Sequence, residues 1–161
     1  GDAEEVEIYL GKKKATFRID TTEIVLRLME GEYIKYRDIM PTQSTTDIVI
    51  GRAILQESIE RASLLAREGK NNLIKMTIKN NLLTITSRSE EGNVKEEIIM
   101  EKEGEDLEIG FNSKFVIDVL KVIDDDEISM HFLTGTSPCM VKPVSGDAYE
   151  YLILPVRIPT M

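Results

Sequence analysis

The chain has 161 residues, of which 42% are hydrophobic and 30% charged, a balance that fits one ordinary globular domain or one domain plus a piece of another. Its formal net charge of -9 argues against a protein that grips nucleic acid with its whole surface, although a locally basic face remains compatible with it. A single histidine leaves zinc sites and histidine-based catalysis poorly supplied, and a single cysteine, which cannot form an internal disulfide, fits a reducing cytosol.

Three stretches in chain order have the pattern of a β-hairpin. They are VEIYLGKKKATFRI (residues 6–19), IKMTIKNNLLTITS (74–87) and ISMHFLTGTSPCMV (128–141). Each alternates apolar and polar residues on both sides of a turn that contains glycine or asparagine, residues that tolerate positive φ. A third strand is predicted after each hairpin, over residues 23–29, 94–101 and 149–154.

The second and third hairpins are each preceded by a strand and a helix. TDIVIG leads into RAILQESIERASLLAREG, and DLEIGFN leads into SKFVIDVLKVIDD. The repeating unit is therefore a strand, a helix and three strands, with full copies at about residues 46–101 and 107–154. The first hairpin lacks its own strand and helix, which is the pattern expected of a piece of a longer repetitive protein.

Both predicted helices carry an apolar stripe on one side. The stripes are Leu55, Ile59, Ala62 and Ala66 in the first helix, and Val116, Val119, Leu120 and Ile123 in the second. One-sided helices combined with alternating strands predict an α+β fold with antiparallel sheets and helices on one face. Asn112 is a plausible N-cap of the second helix.

The short run Asp124 to Glu127 is the obvious candidate for a metal site, and it supports an alternative reading as a metal-dependent nuclease or hydrolase. Adjacent acids at a helix end cannot all converge on one ion, so a solvated turn is the favoured interpretation. His131 has no second histidine with which to share a metal and is predicted to be structural. We find no catalytic set and no phosphate-binding loop.

Two surface features have both an ordinary and a functional interpretation. Leu64 falls opposite the core stripe of its helix, where it is either an ordinary exposed leucine or, with Leu65, part of a contact surface. Lys114 and Lys121 lie together on the outer side of the second helix, where they either confer solubility or form a basic stripe with Arg61 and Arg67.

Four motifs in order resemble a known family over nearly the whole chain. GEYIKYRDIMP (residues 31–41), ERASLLAREGKNN (60–72), EIGFNSKFVIDVL (108–120) and YLILPVRI (151–158) are similar to the bacterial replicative sliding clamp, the β subunit of DNA polymerase III. The resemblance implies a DNA-clamp fold of three domains, in which two subunits close head to tail with helices lining the hole. It assigns residues 1–40 to the end of the middle domain and residues 41–161 to a complete third domain.

The function that the resemblance implies is tethering without catalysis, metal or cofactor. A processivity factor of this kind slides on duplex DNA without sequence preference and docks DNA polymerase, the clamp loader and other partners in the cytoplasm. The full-length protein is expected to be a homodimeric ring, and this fragment, which lacks the other domains, is expected to be monomeric. Besides the metal-dependent nuclease or hydrolase, a generic α+β interaction domain is the other alternative.

The family also implies three sets of site residues. A partner-peptide pocket is assigned to Ile34, Ile39, Asn112, Phe115, Thr136, Pro138, Leu152, Ile153, Leu154, Pro155, Val156 and Arg157. Helical geometry, more than any motif, assigns Arg61, Arg67, Lys114 and Lys121 to the DNA-facing side. The subunit interface is assigned to Leu64, Leu65, Glu90, Glu91, Glu96 and Glu97.

Two departures from the family pattern affect the pocket. The family often has a tyrosine at the position of Phe115, so this chain lacks a hydroxyl there. Residues 159–161 continue past the terminal motif, and they are expected either to crowd the pocket or to be disordered.

Overall fold

A computed structural model describes residues 5–66 and 72–158; Arg67 and residues 159–161, to which predictions were attached, lie outside this range. The chain divides into two compact units, the first ending at Tyr36 and the second beginning at Arg37. The assignment of residues 1–40 and 41–161 to two clamp domains stays a prediction. The elements are β1 (Glu7–Leu10), β2 (Lys14–Ile19), β3 (Thr22–Arg27), α1 (Tyr36–Ile39), β4 (Thr46–Gly51), α2 (Arg52–Ala66), β5 (Leu73–Lys79), β6 (Leu82–Ser89), β7 (Gly92–Ile99), β8 (Glu101–Gly104), β9 (Leu107–Asn112), α3 (Ser113–Leu120), β10 (Glu127–Phe132), β11 (Cys139–Pro143) and β12 (Tyr151–Ile153).

The first unit is a three-stranded antiparallel sheet in the order β1-β2-β3. Its two hairpins are fixed by backbone pairing from Glu7 with Arg18 and from Lys14 with Arg27. Among the described residues of this unit, Ala15 alone is a buried hydrophobic residue, and β3 is exposed along its whole length. Apolar strands with so little covering are not a self-sufficient core.

The second unit contains two antiparallel sheets, in the orders β12-β11-β10-β4-β8 and β7-β6-β5-β9. The second and third predicted hairpins are confirmed by the pairing of β5 with β6 and of β10 with β11. The third strand of each repeat is also present, as β7 beside β6 and as β12 beside β11. The repeat of a strand, a helix and three strands is therefore the building unit of this part of the chain.

The first strand of each repeat joins the sheet of the other repeat. β4 belongs to the first repeat but pairs with β10 of the second, and β9 belongs to the second but pairs with β5 of the first. This exchange makes the two repeats share one core.

The buried residues of the second unit form one hydrophobic cluster. Both predicted helical stripes lie in it, since Leu55, Ile59 and Ala62 of α2 and Val116 and Leu120 of α3 are buried. The two helices pack against each other, and α2 also packs on β5, β6 and β7. The predicted α+β class is confirmed. None of the helices in the described ranges has the length and apolar character needed to cross a bilayer.

One strand prediction needs correction. Residues 94–101 were predicted as a single strand, but the chain leaves the four-stranded sheet at Met100, whose N–H donates to the carbonyl O of Asn81 at 3.1 Å. Met100 is buried, and the next residues form β8 at the edge of the other sheet, beside β4. The polar sequence Glu101–Gly104 becomes a strand because it finds a partner there, which its own pattern could not indicate.

Candidate functional site

The C-terminal tail, defined here as residues 154–158, leaves one sheet and lies against the other. After β12, the N–H of Val156 donates to the carbonyl O of Gly110 on β9 at 2.8 Å. A Cβ placed on Gly110 would stand 2.6 Å from the carbonyl O of Val156 and 2.9 Å from Cγ1 of Ile158. Val156 and Ile158 are therefore in direct contact with β9.

The terminal run divides into core and surface. Ile153 is only 3% exposed and its side chain belongs to the hydrophobic core, out of reach of a partner. Leu154 is 58% exposed, whereas Leu152 lies on the opposite side of β12 from Ile153 and is half-buried. Pro155, Val156 and Arg157 follow outside the strand, with Arg157 exposed. The surface part of the terminal run is thus formed by side chains other than Ile153.

The start of α3 stands at the end of β9. Asn112 caps the helix: its backbone is extended, and its Oδ1 accepts a hydrogen bond from the N–H of Lys114 at 3.0 Å. In the first turn, the Phe115 side chain is 55% exposed, although its neighbours Val116 and Ile117 are buried. The cap fixes the direction of the helix and so places an aromatic ring at the surface.

The turn between β10 and β11 reaches the same strand. Its shape is held by the hydroxyls of Thr134 and Ser137, 2.7 Å apart. Gly135 packs so closely on the carbonyl O of Glu108 that a side chain would not fit. Thr136 is exposed and Pro138 half-buried in this turn.

Three predicted parts of the pocket therefore converge on β9. The hairpin turn meets it at Glu108, the tail meets it at Gly110, and α3 begins directly after Asn112. These three strand positions are two residues apart and share one face of the sheet. The side chain of Glu108 marks that face, since it accepts hydrogen bonds from Lys75 and Thr77 of the neighbouring strand, both at 3.1 Å.

The two isoleucines predicted from the inter-domain connector belong to different units. Ile34 is exposed in the first unit, and Ile39 is partly exposed in the second. Ile39 ends the short helix α1. Their membership of a pocket stays a prediction.

The predicted basic face contains one arginine that has another partner. The guanidinium of Arg61 bonds Glu96 on β7, with an Nη2–Oε2 distance of 2.8 Å. Lys114 and Lys121 are exposed, and neither ammonium makes an ion pair within the part of the chain that the structure describes. Of the described basic candidates, the two lysines are therefore the ones whose charge is not already compensated locally.

The predicted subunit-facing residues lie on α2 and around β7. Leu64 is 63% exposed and Leu65 half-buried. Glu90, Glu91 and Glu97 are exposed, and Glu97 pairs with Lys95 at 2.6 Å. Glu96 lies on the opposite side of β7 from Glu97, where the hydrogen bond from Arg61 lowers the pKa of its carboxyl.

β7 is the outermost strand of the four-stranded sheet as described, so one of its edges has no strand beside it. An open strand edge is a surface to which another strand can be added.

The acidic run at residues 124–127 is organised as a turn. Arg52 donates through its backbone N–H to the carbonyl O of Asp126 at 2.8 Å, and through Nε to the carbonyl O of Asp125 at 2.9 Å. The Tyr149 hydroxyl donates to Oδ2 of Asp125 at 2.6 Å. Within the described ranges, no group of three or more metal-ligating side chains is arranged around a common point.

The structure contains a hydrogen-bonded Ser–His–Asp arrangement that the sequence did not predict. His131 Nδ1 lies 2.7 Å from Oδ1 of Asp47, and His131 Nε2 lies 3.0 Å from the Ser129 hydroxyl. This is the atom order of a hydrolase triad, but the Ser129 hydroxyl also lies 3.2 Å from the carbonyl oxygens of both Lys142 and Pro143. A carbonyl can only accept, so a Ser129 proton that is donated to either carbonyl is not directed at the ring nitrogen that would have to remove it in a hydrolase triad.

The hydrogen bonds of Ser129, His131 and Asp47 instead link three adjacent strands, β4, β10 and β11. Ser129 and His131 are two residues apart on one strand, which their sequence spacing does indicate. Asp47 joins them only because β4 pairs with β10, where it stands opposite His131. The prediction that His131 is structural agrees with this arrangement.

Repeated strand–helix–three-strand units, with exchanged strands and two helices over the sheets, are the architecture of DNA sliding clamps. The solved sliding clamp of Bacillus subtilis matches with a TM-score of 0.85 and 34% identity, covering 99% of this chain and 43% of that one. The DNA polymerase III beta subunit of Thermotoga maritima matches with a TM-score of 0.82 and 34% identity, covering 96% of this chain and 42% of that one.

Sequence comparison gives the family. The beta sliding clamp of Staphylococcus epidermidis is 38% identical over 156 residues, which are 96% of this chain and 41% of that relative. Residues 37–157 match the model of the DNA polymerase III beta subunit, C-terminal domain. The chain belongs to the DNA polymerase III beta subunit family, and it spans about two fifths of the length of the relatives it matches.

Proposed function

We propose that this chain is the C-terminal part of a sliding clamp that keeps DNA polymerase on duplex DNA and docks partner proteins by short peptides. It acts by tethering, without catalysis or a cofactor, in the bacterial cytoplasm where replication proceeds. The observation that supports this most is the convergence of the tail, the hairpin turn and α3 on β9, at positions that match the family's docking pocket.

We propose that a partner peptide docks against exposed apolar side chains, Phe115 and Leu154, which we call the docking wall. Phe115 and Leu154 expose more than half of their surface, although each is adjacent in sequence to a buried residue, Val116 and Ile153 respectively. A peptide with a glutamine followed by apolar residues can bury its few anchors against such groups, and a few anchors carry most of the energy in interfaces of this kind. Arg157 supplies a charge at the rim.

The DNA-facing surface is proposed to include Lys114 and Lys121 of α3. They carry uncompensated charge within the described residues on a chain whose total charge is -9. Contacts of this kind attract phosphates without reading sequence, which is the property needed for sliding.

The full-length protein is proposed to close into a homodimeric ring, with α2 near Leu64 and the open edge of β7 facing the other subunit. The exposed leucine and the unpaired strand edge support this arrangement. The present chain, with about two fifths of a clamp, is proposed to be monomeric at micromolar concentration.

Fluorescence anisotropy tests the docking proposal. The probe is a labelled peptide carrying a glutamine followed by leucine and phenylalanine, titrated with the unaltered chain and with Phe115→Ala and Leu154→Ala. Each substitution removes an exposed anchor and is expected to weaken binding about tenfold, which corresponds to about 1.4 kcal/mol.

The matched control is Val122→Ala, which removes an exposed apolar side chain beyond the other end of α3. It is expected to leave affinity unchanged. Loss of affinity in the control alone, or no binding by the unaltered chain, would contradict the proposal.

A further inference from the structure

Gly110 occupies a position in β9 where a side chain would be expected. Its neighbours on the same face of the strand, Glu108 and Asn112, carry polar side chains, and it stands opposite Lys75 of β5. Its φ is not in the left-handed region, so the strand backbone does not require a glycine here. The reason for the glycine must therefore lie in the space above it.

The C-terminal tail fills that space. A Cβ at position 110 would lie 2.6 Å from the carbonyl O of Val156, 2.9 Å from Cγ1 of Ile158 and 3.0 Å from Cδ1 of Leu73. The backbone carbonyl O of Gly110 also accepts the N–H of Val156 at 2.8 Å. The missing side chain and the hydrogen bond act together, since the tail can approach closely enough to bond only because nothing projects from Gly110.

We propose that Gly110 is a positioning residue for the peptide-docking wall, an inference that rests on the proposed function. By admitting the tail against β9, Gly110 fixes the chain at Val156, two residues after Leu154. The ladder between β9 and β5 lies on the other edge of the strand and does not depend on the tail. A side chain at position 110 therefore displaces the wall while leaving the sheet in place.

The size of the displacement follows from the distances. To accept an alanine, the carbonyl O of Val156 must move from 2.6 Å to beyond 3.0 Å, the least separation that real Cβ atoms show. Backbone cannot move aside as a flexible side chain does, so the tail shifts as a segment. Docking geometry is sensitive to shifts on this scale.

The test is Gly110→Ala, with Gly11→Ala as the matched control. Gly11 also has an ordinary φ, and its nearest contact at 3.4 Å leaves room for a methyl group. Two measurements are made on each variant: the affinity for the labelled glutamine–leucine–phenylalanine peptide, and the methyl NMR shifts of Val156 and Ile158 beside those of the core residue Ile50.

For Gly110→Ala we expect the dissociation constant to rise about tenfold and the Val156 and Ile158 methyl signals to shift, with Ile50 unchanged. Gly11→Ala should change none of these. A Gly110→Ala chain with shifted tail methyls but unchanged affinity would overturn the proposal, as would unchanged methyl signals.

Phe115→Ala separates the two proposals, because the three atoms nearest to a Cβ at position 110 belong to Val156, Ile158 and Leu73 and not to Phe115. If Phe115→Ala weakens binding and Gly110→Ala does not, positioning by Gly110 is wrong and docking stands. If the unaltered chain does not bind the peptide, docking itself is wrong.

A measurement on the unaltered chain covers the case in which Gly110→Ala does not fold. The Val156 amide is expected to exchange with solvent much more slowly than that of Arg157, since within residues 5–66 and 72–158 only the former donates to a backbone carbonyl. Equal exchange at the two amides would overturn the proposal, because the tail would then not be held on Gly110.

Discussion

Arg61 of α2 and Glu96 of β7 form a two-contact ion pair, with Nη2–Oε2 at 2.8 Å and Nε–Oε1 at 3.2 Å. Sequence reasoning assigned the arginine to a DNA-facing surface and the glutamate to a subunit interface. In the structure these two side chains bind each other, and their ion pair links α2 to β7, the outermost strand of the four-stranded sheet. A paired arginine has less charge to offer a phosphate than an unpaired one.

The first prediction concerns the stability of the fold at low pH. The hydrogen bond from Arg61 holds the pKa of the Glu96 carboxyl below its ordinary value of 4.5. A depressed folded-state pKa contributes stability that is present above the unfolded value and is lost as pH falls through the folded value. Arg61→Ala should therefore lower the melting temperature at pH 7, and this difference from the parent should shrink below pH 4.5.

Thermal unfolding followed by circular dichroism at pH 7 and at pH 3 measures this difference in melting temperature between Arg61→Ala and the parent. Lys121→Ala, which removes a cation without an ion pair among the described residues, is the control and should show little difference at either pH. A difference for Arg61→Ala that is the same at both pH values would mean that the pair does not stabilise the fold.

The second prediction concerns DNA. The double variant Lys114→Glu with Lys121→Glu should weaken binding to a labelled duplex at low salt, and Arg61→Glu, which reverses one charge instead of two, should weaken it by less than half as much. The reason is that the two lysine charges are uncompensated, whereas that of Arg61 is held by Glu96. Affinity should fall steeply with added salt in the parent and less steeply in the double variant.

The control for DNA binding makes the same change in total charge on strands. Lys95→Glu with Lys142→Glu reverses two lysines that are paired with Glu97 and Glu150. If this control binds as weakly as the Lys114 and Lys121 variant, the affinity for DNA depends on the net charge of the chain and not on the face formed by α3.

The third prediction concerns Tyr149. Burial, and then the hydrogen bond to Asp125, raise the pKa of the Tyr149 phenol to about 12 from 10.0. A folded-state pKa above the unfolded value contributes stability that is fully present below pH 10 and lost as pH rises through about 12. Tyr149→Phe should lower the free energy of unfolding at pH 7 by at most about 1 kcal/mol.

Urea denaturation at pH 7 and pH 10.5 is the measurement. Tyr151→Phe is the matched control, because its ring lies beside that of Tyr149, with the centroids 5.5 Å apart, but its hydroxyl bonds no described residue. Equal losses in the two variants would attribute the effect to the rings and not to the bond with Asp125.

The sequence was sufficient for the elements and the repeat, because both depend on local periodicity. It was insufficient for the partners of the strands. Alternation tells which side of β4 faces the core, as the burial of Ile48 and Ile50 confirms, but it says nothing about pairing with β10. β8 was missed for the same reason.

The sequence likewise predicted some features of the candidate site and missed others. The terminal motif located Leu154 and the tail, and the helix pattern located Lys114 and Lys121 on an exposed side. The pairing of Arg61 with Glu96 was not predictable, because a helical projection does not include a neighbouring strand. The fit of Gly110 under the tail was also missed, since it depends on residues 46 positions apart.

The last prediction follows from the exchange of strands. A polypeptide of residues 41–105 contains the whole first repeat, yet its β4 would have lost β10 and its β5 would have lost β9. Ile48 and Ile50 would lie on a strand whose one remaining partner is β8, and burial of each such side chain contributes about 1.5–3 kcal/mol. Four or five exposed side chains of this kind are enough to remove the roughly 5–15 kcal/mol that stabilises a domain.

We therefore expect the 41–105 polypeptide alone to give a poorly dispersed amide NMR spectrum, and the 106–161 polypeptide to do the same. Mixed in equal amounts, the two should recover the dispersed spectrum of the second unit, because each supplies the strand that the other lacks. Residues 37–161, which keep both repeats, are the positive control. A dispersed spectrum from either half alone would show that a repeat can complete its own core, and the exchange of β4 and β9 would then not be what holds this unit together.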